Sequence, residues 1–368
     1  MSSQQQQQFN VVGSNPVQNC MVIGGAGFLG QHLVEDLMAK GYNVSVMDIR
    51  EPSIVKNVKF YKGDICDKET VLNAFRDFQV DTVFHTATPD PFKSPSHILY
   101  KVNVEGTRNL MDCLIQLSDE VGKRKNFVLV SSASVVFDGN DTNNCDETKP
   151  YVKSGVNVYT DTKVEQEKLT LKYGKENKDK IRTVAIRPAS IFGERDLLFI
   201  PTVLENGKKG KTKFYVGNGK NQMDYTYVKN VTHALILAST HLDKESVSGE
   251  AFFVTNQEPE LFWGFMADIL REFSLPTPKI GIPVQVMYII SYILLIVATI
   301  LKVCGIKFDI PPQFELDKNA LLVADRRFNS TKATRLFTYK PVYDMKEAKK
   351  RTVAYYKKLE EEKKQQKN

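Results

Sequence analysis

The chain is poor in everything that would make a disulfide framework or a structural metal site. Its five cysteines, at positions 20, 66, 113, 145 and 304, form no C-x-x-C pair, and no two histidines stand at zinc spacing. Both sites are therefore excluded, no metal is expected, and a reducing compartment is indicated. The N-terminus lacks the basic-then-apolar pattern of a signal peptide. With five consecutive glutamines (Gln4–Gln8), residues 1–17 are expected to be a disordered Gln-rich extension. No internal repeat is visible. Charge of one sign is also scarce: 50 Lys+Arg against 43 Asp+Glu leave only +7 on 368 residues. Residues 302–368 carry 17 basic and 9 acidic side chains, so the preceding 301, with 33 and 34, are almost neutral. A near-neutral body offers no groove for nucleic acid.

What is present is a 42% hydrophobic chain in which short apolar runs alternate with helical patterns. Cys20–Ile23, Asn43–Met47, Val58–Tyr61, Val80–His85, Phe127–Ser131 and Thr183–Arg187 read as strands. Phe28–Lys40, Glu69–Phe78 and Val102–Leu117 read as helices between them. Such alternation means βαβ units and a parallel sheet, hence an α/β, Rossmann-like, doubly wound fold. The pattern changes after Pro188. Residues 18–194 are expected to form the nucleotide-binding domain, and 195–368 a smaller C-terminal substrate domain with some segments returning to the first.

Met21-Val-Ile-Gly-Gly-Ala-Gly-Phe-Leu-Gly30 places Gly24, Gly27 and Gly30 between a strand and a helix. Glycines there permit a tight turn, close approach of backbone to a pyrophosphate, and packing of helix on strand. The helix N-terminus offers free N–H groups to the phosphates. The second strand closes on Asp48, 18 residues after Gly30, where a carboxylate accepts the ribose hydroxyls of an adenosine and repels a 2′-phosphate. NAD is thus expected over NADP, with Arg50 nearby keeping NADP as the alternative. Asp64, closing the third strand, is placed either to meet the adenine edge or to cap its own Gly-Asp turn.

Val130-Ser-Ser-Ala-Ser134 follows a strand, and 27 residues after Ser132 comes Tyr159-Thr-Asp-Thr-Lys163. Tyrosine and lysine at i and i+4 share a helix face. Hydride transfer from an alcohol needs a group that takes the hydroxyl proton. A phenol with pKa near ~10 becomes that base when positive charge beside it favours the phenolate. Taken together, these residues resemble the extended short-chain dehydrogenase/reductases, and within them the 3β-hydroxysteroid dehydrogenase family. The resemblance covers about residues 18–360. Further segments that carry it are Tyr100-Lys-Val-Asn-Val-Glu-Gly-Thr107, Arg187-Pro-Ala-Ser-Ile-Phe-Gly193 and Asp224-Tyr-Thr-Tyr-Val-Lys-Asn-Val231. Phe253-Val-Thr-Asn-Gln-Glu-Pro-Glu-Leu-Phe-Trp263 is similar to the subgroup of sterol-4α-carboxylate 3-dehydrogenases that decarboxylate. His85-Thr-Ala-Thr-Pro89 departs from the family's Ala-Ala or Ala-Gly run, so Thr88 and Pro89 are expected to reshape the floor near the cofactor.

The resemblance implies Tyr159 as proton acceptor, Lys163 as its partner and ribose clamp, and Ser132 as the orienting hydroxyl. Ser131 and Ser134 compete with Ser132 on the residues alone. It also implies a cofactor-binding set of Gly24, Gly27, Phe28, Leu29, Gly30, Asp48, Asp64, Ile65, Asn103, Tyr159, Lys163 and Pro188. The expected reaction is NAD-dependent oxidation of the 3β-hydroxyl of a 4α-carboxysterol with loss of CO2, in sterol biosynthesis. A 3β-hydroxysteroid dehydrogenase/isomerase, or another alcohol dehydrogenase of the extended family, shares every residue named. A nucleotide-sugar epimerase fits less well. A membrane redox sensor that binds NAD without catalysis is the reading from a different class.

Residues Ile280–Leu301 contain no formal charge. As one helix they would span ~33 Å, enough for the hydrocarbon core of a bilayer. A helix buried in the substrate domain is the plainer reading. Gln285, Tyr288, Tyr292 and Thr299 form a weakly polar stripe, which favours a membrane-associated helix lying in or dipping into the interface. A single full crossing would separate residues 310–355 from the enzyme they resemble parts of. The basic tail that follows suits anionic headgroups on a cytosolic face, although a solvated Lys/Glu helix also accounts for residues 346–368. Expected partners are a sterol substrate and membrane lipid, with no nucleic acid; a homodimer is compatible. The expected location is the cytosolic face of the endoplasmic reticulum membrane, or a lipid droplet.

Overall fold

The computed structural model describes residues 18–51, 57–306, 308 and 316–366; the Gln-rich segment 1–17 lies outside the described residues. The first half runs β1 (Asn19–Ile23), α1 (Phe28–Ala39), β2 (Asn43–Asp48), β3 (Lys59–Lys62), α2 (Lys68–Phe78), β4 (Thr82–His85), α3 (Ser96–Tyr100), a π-helical turn (Lys101–Gly106), α4 (Thr107–Val121), β5 (Lys125–Val130), a 3₁₀ turn (Ala133–Val136), β6 (Thr142–Cys145), α5 (Val158–Glu176) and β7 (Ile181–Pro188). The second half runs β8 (Ile191–Phe192), α6 (Phe199–Lys208), β9 (Phe214–Val216), β10 (Gln222–Met223), β11 (Thr226–Tyr227), α7 (Val228–Ser239), β12 (Glu250–Val254), β13 (Glu260–Leu261), α8 (Phe262–Glu272), β14 (Ile280–Ile282), α9 (Val284–Val303), α10 (Leu316–Val323), β15 (Arg326–Phe328), α11 (Thr331–Phe337) and α12 (Met345–Gln365).

Seven parallel strands form the main sheet in the order β12-β7-β5-β4-β1-β2-β3. From β1 the chain builds outward to β2 and β3, then crosses to β4 on the other side. This reversal leaves a crevice at the C-terminal ends of β1 and β4, where Ile23 pairs with both Met47 and His85. Alternate residues of β1 feed opposite cores, because successive strand side chains face opposite ways. Cys20 and Val22 pack with Leu33 and Leu37 of α1 and with Val231 and Leu235 of α7. Met21 and Ile23 pack with Phe75 of α2 and with Leu110 and Leu114 of α4. The α/β expectation stands, and one edge strand of the sheet, β12, comes from the far side of residue 195.

Two expected helices differ. The run read as Val102–Leu117 enters through the π-helical turn Lys101–Gly106, a wide turn that has no compositional signature. The charge-free run 280–301 is not one helix. Ile280–Ile282 pairs with Phe214–Val216 as a strand, and Pro283 then caps α9, which continues past the run to Lys302 and Val303. Proline suits that boundary because it has no N–H to contribute to the first turn.

The buried-helix reading of this run is overturned. α9 is long and apolar enough to cross a membrane, yet only 11% of its apolar window is buried. Met287 and Ser291 are its buried residues, and the Asn319 side chain of α10 donates to Ser291 Oγ at 3.0 Å. Gln285, Tyr292 and Thr299 of the polar stripe face outward. The basic C-terminal residues form a docked helix rather than a loose tail. Ala348, Thr352 and Tyr356 of α12 are buried, Lys349 pairs with Glu260 and Asp268, and Tyr356 donates to Asp196 O at 2.6 Å.

Candidate active site

The glycine turn is closed by backbone contacts that only glycine permits. Gly24 adopts φ +80°, and its added Cβ would stand 2.6 Å from the Ala87 backbone. At Gly30 the added Cβ would stand 2.2 Å from Gly24 O and 2.7 Å from Gly25 Cα. Gly27 caps α1 without a side chain, and the first turn holds no acidic residue, so the helix N-terminus presents its N–H groups and partial positive charge unmasked. Phe28 is partly buried, and Leu29 and Gly30 are buried, in that first turn. Asp48 ends β2 and is anchored beside the turn: its carboxylate accepts from Ala26 N at 3.1 Å and from Arg50 N at 3.0 Å. Asp64 is exposed and accepts from Cys66 N at 2.9 Å, so it caps its own turn, while Ile65 is buried against Gly106.

Asn103 ties the glycine turn to the helix that carries the tyrosine. The side chain lies in the π-helical turn and is fully buried. Its amide accepts from Thr88 Oγ1 at 3.0 Å and donates to Thr162 Oγ1 at 3.0 Å. Thr88 belongs to the His85–Pro89 segment, whose Ala87 packs on Gly24 and whose Thr86 donates to Ile23 O at 2.8 Å. The threonines of that segment are therefore structural links across the floor. Pro188 is buried at the end of β7, opposite Val254 of β12.

The structure brings Ser132 to Tyr159, and Lys163 follows one turn further along α5. Desolvation pushes the Tyr159 phenol up to about 12, while a hydrogen bond with the Ser132 hydroxyl pulls it down. Of the three competing serines, Ser132 is the one that meets the phenol. Ser134 Oγ lies 2.8 Å from Ser132 Oγ, and Ser131 is buried with its own hydroxyl unpartnered among the described residues. One turn beyond Tyr159, the Lys163 side chain is buried and donates to Val130 O at 2.7 Å and to Gln166 Oε1. Desolvation pulls its ammonium down to about 7, with the nearby Glu167 carboxylate acting the other way.

Several residues near these side chains lie outside the site set expected from the sequence. Arg187 and Glu167 form a buried bidentate pair, Nη2 donating to Oε1 at 2.6 Å and Nε to Oε2 at 3.1 Å, and Tyr151 donates to the same carboxylate at 2.7 Å. The pair clamps α5 to β7 immediately before Pro188. Arg326, on β15, lies with its guanidinium 5.8 Å from the Phe137 ring and 5.6 Å from the Phe262 ring. It donates to Leu321 O at 2.6 Å, its Nε has no partner, and among the described residues no carboxylate pairs with it. Desolvation lowers its pKa to about 10, with only the Tyr225 phenol opposing. Phe137 ends the turn that Ser132 begins, so Arg326 borders the serine's own segment.

A doubly wound parallel sheet with a glycine turn at its switch point and a Ser-Tyr-Lys cluster beyond it defines the extended short-chain dehydrogenase/reductase class. Solved structures of that fold agree. The UDP-glucose 4-epimerase of Thermus thermophilus in complex with NAD superposes with a TM-score of 0.68 at 21% identity, over 92% of this chain and 99% of that one. The gox2253 structure gives 0.73 at 22%, over 94% and 99%. Residues 21–284 match the 3-beta hydroxysteroid dehydrogenase/isomerase family, and the chain belongs to that family. The sterol-4-alpha-carboxylate 3-dehydrogenase, decarboxylating, of Mus musculus is 39% identical over 94% of this chain and 92% of its own length. The 3beta-hydroxysteroid-dehydrogenase/decarboxylase isoform 1 of Arabidopsis thaliana is 36% identical over 91% and 78%.

Proposed function

We propose that this protein oxidises the 3β-hydroxyl of a sterol bearing a 4α-carboxylate, with NAD as acceptor, and releases CO2. The observation that carries the reading is a phenol hydrogen-bonded to a serine, with a buried ammonium one helical turn away and a glycine turn tied to the same helix through Asn103. The relatives' names support the sterol and the carboxylate.

The residues present fit a dinucleotide. Gly24, Gly27 and Gly30 keep side chains out of the turn, and the uncapped start of α1 suits a pyrophosphate. Asp48, a carboxylate already positioned by Ala26 N, suits ribose hydroxyls and opposes a 2′-phosphate, which favours NAD over NADP. The bound nicotinamide supplies a hydride acceptor. Tyr159 takes the hydroxyl proton at its phenolic oxygen, Ser132 donates to the substrate oxygen, and the Lys163 ammonium stabilises the phenolate.

Oxidation leaves a ketone β to the carboxylate. The C4–carboxyl bond then breaks with its electron pair delocalised onto the C3 oxygen, which Tyr159 and Ser132 hydrogen-bond. No further cofactor enters that step. Arg326 is the cation we assign to the carboxylate, since a desolvated guanidinium with an unpartnered Nε suits an anion brought by a ligand. The exposed apolar face of α9 suits a lipid surface, from which a sterol would be drawn, and the cytosolic face of the endoplasmic reticulum belongs to the same proposal.

The test is purified enzyme in detergent, given NAD and 3β-hydroxysterols with and without the 4α-carboxylate, with NADH and CO2 followed together. Equal yields of both products from the carboxylated sterols are expected. NADH without CO2 would leave a plain 3β-hydroxysteroid dehydrogenase. Arg326→Leu is expected to lower kcat/KM for carboxylated sterols about 10- to 100-fold, the worth of a charge-assisted hydrogen bond. Turnover of sterols lacking the carboxylate should be almost unchanged, and an equal loss on both series would remove Arg326 from the carboxylate's site.

A further inference from the structure

Lys163 is a buried ammonium with an unusual partner. Among the described residues no carboxylate stands within ion-pair distance of its Nζ; its acceptors are the Val130 carbonyl and the neutral Oε1 of Gln166. Gln166 is fully buried, three residues further along the same helix face. Its amide cannot turn round. Gln166 Nε2 donates to Thr107 Oγ1 at 2.8 Å and lies 3.2 Å from His85 Nε2. Thr107 spends its own proton on Asn103 O at 2.6 Å, so its oxygen must accept. Whichever nitrogen of His85 bears the proton, the amide N–H₂ points at Thr107 and Oε1 is left for Lys163. His85 itself is neutral, its pKa lowered to about 3 by burial and by the Lys163 charge.

We propose that Gln166 is the positioning residue for Lys163, held by Thr107 and His85 as a neutral acceptor that keeps the ammonium charged inside the site without cancelling its charge. The chemistry requires this combination. A carboxylate in that place would pair with Nζ and blunt its field at Tyr159. An apolar side chain would strand an N–H and drive the amine neutral. An amide oxygen satisfies one donor without cancelling the charge of the ammonium, one helical turn from Tyr159. An ammonium has three N–H donors, and with Val130 and Gln166 taking two, the third stays uncommitted among the described residues. The titratable groups that act on Lys163 are Glu167 from its own helix and neutral His85 from β4, with Tyr159 one turn before it and neutral Thr107 and Asn103 beyond Gln166. Arg187 of β7 is held on Glu167.

This inference rests on the catalytic reading of Tyr159 and Lys163, so its first measurement needs no turnover. In the nucleotide-free protein Lys163 is depressed from 10.5 to about 7. It therefore opposes folding most below pH 7, and stability recovers as pH rises from 7 towards 10.5. Gln166→Glu, which keeps size and shape, is expected to raise the Lys163 pKa and flatten that rise in the urea midpoint. Gln166→Leu is expected to start it at lower pH and so enlarge the total rise. In turnover, the alkaline limb of kcat should move up by about one pH unit in Gln166→Glu and down by about one in Gln166→Leu, with sterol KM changed less than about threefold.

Midpoints that fall equally at all pH values, with an unmoved kcat profile, would make Gln166 a packing residue and overturn the proposal. If the wild-type enzyme oxidised no sterol, the stability measurement would still decide the matter, because the difference between each variant and the wild type across pH follows the Lys163 charge.

Discussion

Tyr159→Phe is expected to lower turnover of a 3β-hydroxysterol about a thousandfold, the worth of a positioned general base, while leaving NADH binding and folding intact. Burial pushes the Tyr159 phenol up to about 12, so a base at neutral pH requires positive charge that favours the phenolate. In the proposed reaction the cation that favours the phenolate is Lys163, one turn further along α5. Phenylalanine removes the proton-accepting oxygen and nothing else of consequence. Lys163 keeps Val130 O and Gln166, neither of which depends on the phenol, and Ser132 keeps its contact with Ser134. Steady-state rates with a carboxylated sterol, beside NADH titration followed by nucleotide fluorescence, check both halves. Unchanged turnover in a variant that still binds NADH would leave a nucleotide-binding protein whose chemistry lies elsewhere.

The same helix shows what was legible in the sequence and what was not. Tyr159 and Lys163 could be found because i, i+4 spacing in a strand–helix context is a recognisable pattern. The glycines and Asp48 could be found because a turn of fixed length separates a strand from its helix. Gln166 has no such mark: a glutamine on a helix with many charged residues reads as solvated, and its burial against His85 of β4 and Thr107 of α4 is a tertiary contact. Arg326 stands in a polar stretch and is drawn inward by pairing of β15 with β6 and β10, strands too short to leave a periodic signal. The charge-free run misled in the opposite way. Absence of charge is shared by β14 and α9, and Pro283 divides them, so composition alone joined two elements that the backbone keeps apart.

Gly30→Ala is expected to abolish nucleotide binding, with NADH affinity falling about 100-fold or more and a loss of about 1–3 kcal/mol in stability. The methyl group would stand 2.2 Å from Gly24 O, 2.7 Å from Gly25 Cα and 2.9 Å from Gly24 C. These are backbone atoms, so no side chain can swing aside to relieve the contact. α1 must lift off the turn, and it cannot do so freely. Leu33, Val34 and Leu37 bind it to the sheet core, and Lys229 and Thr232 of α7 hold Asp36 near its far end. The turn must give instead, and its glycine carbonyls and amides are the surface a pyrophosphate would meet.

Gly27→Ala supplies the internal comparison. Its Cβ would meet Gly24 O at 3.2 Å, which a shift of a few tenths of an ångström relieves, so the protein should keep near-normal stability and a smaller defect in binding. Thermal midpoints and NADH titrations of the two variants check the ordering. A Gly30→Ala protein that bound NADH as tightly as the Gly27→Ala protein would show that helix and turn are not locked together, and that the dinucleotide is held by some other part of the crevice.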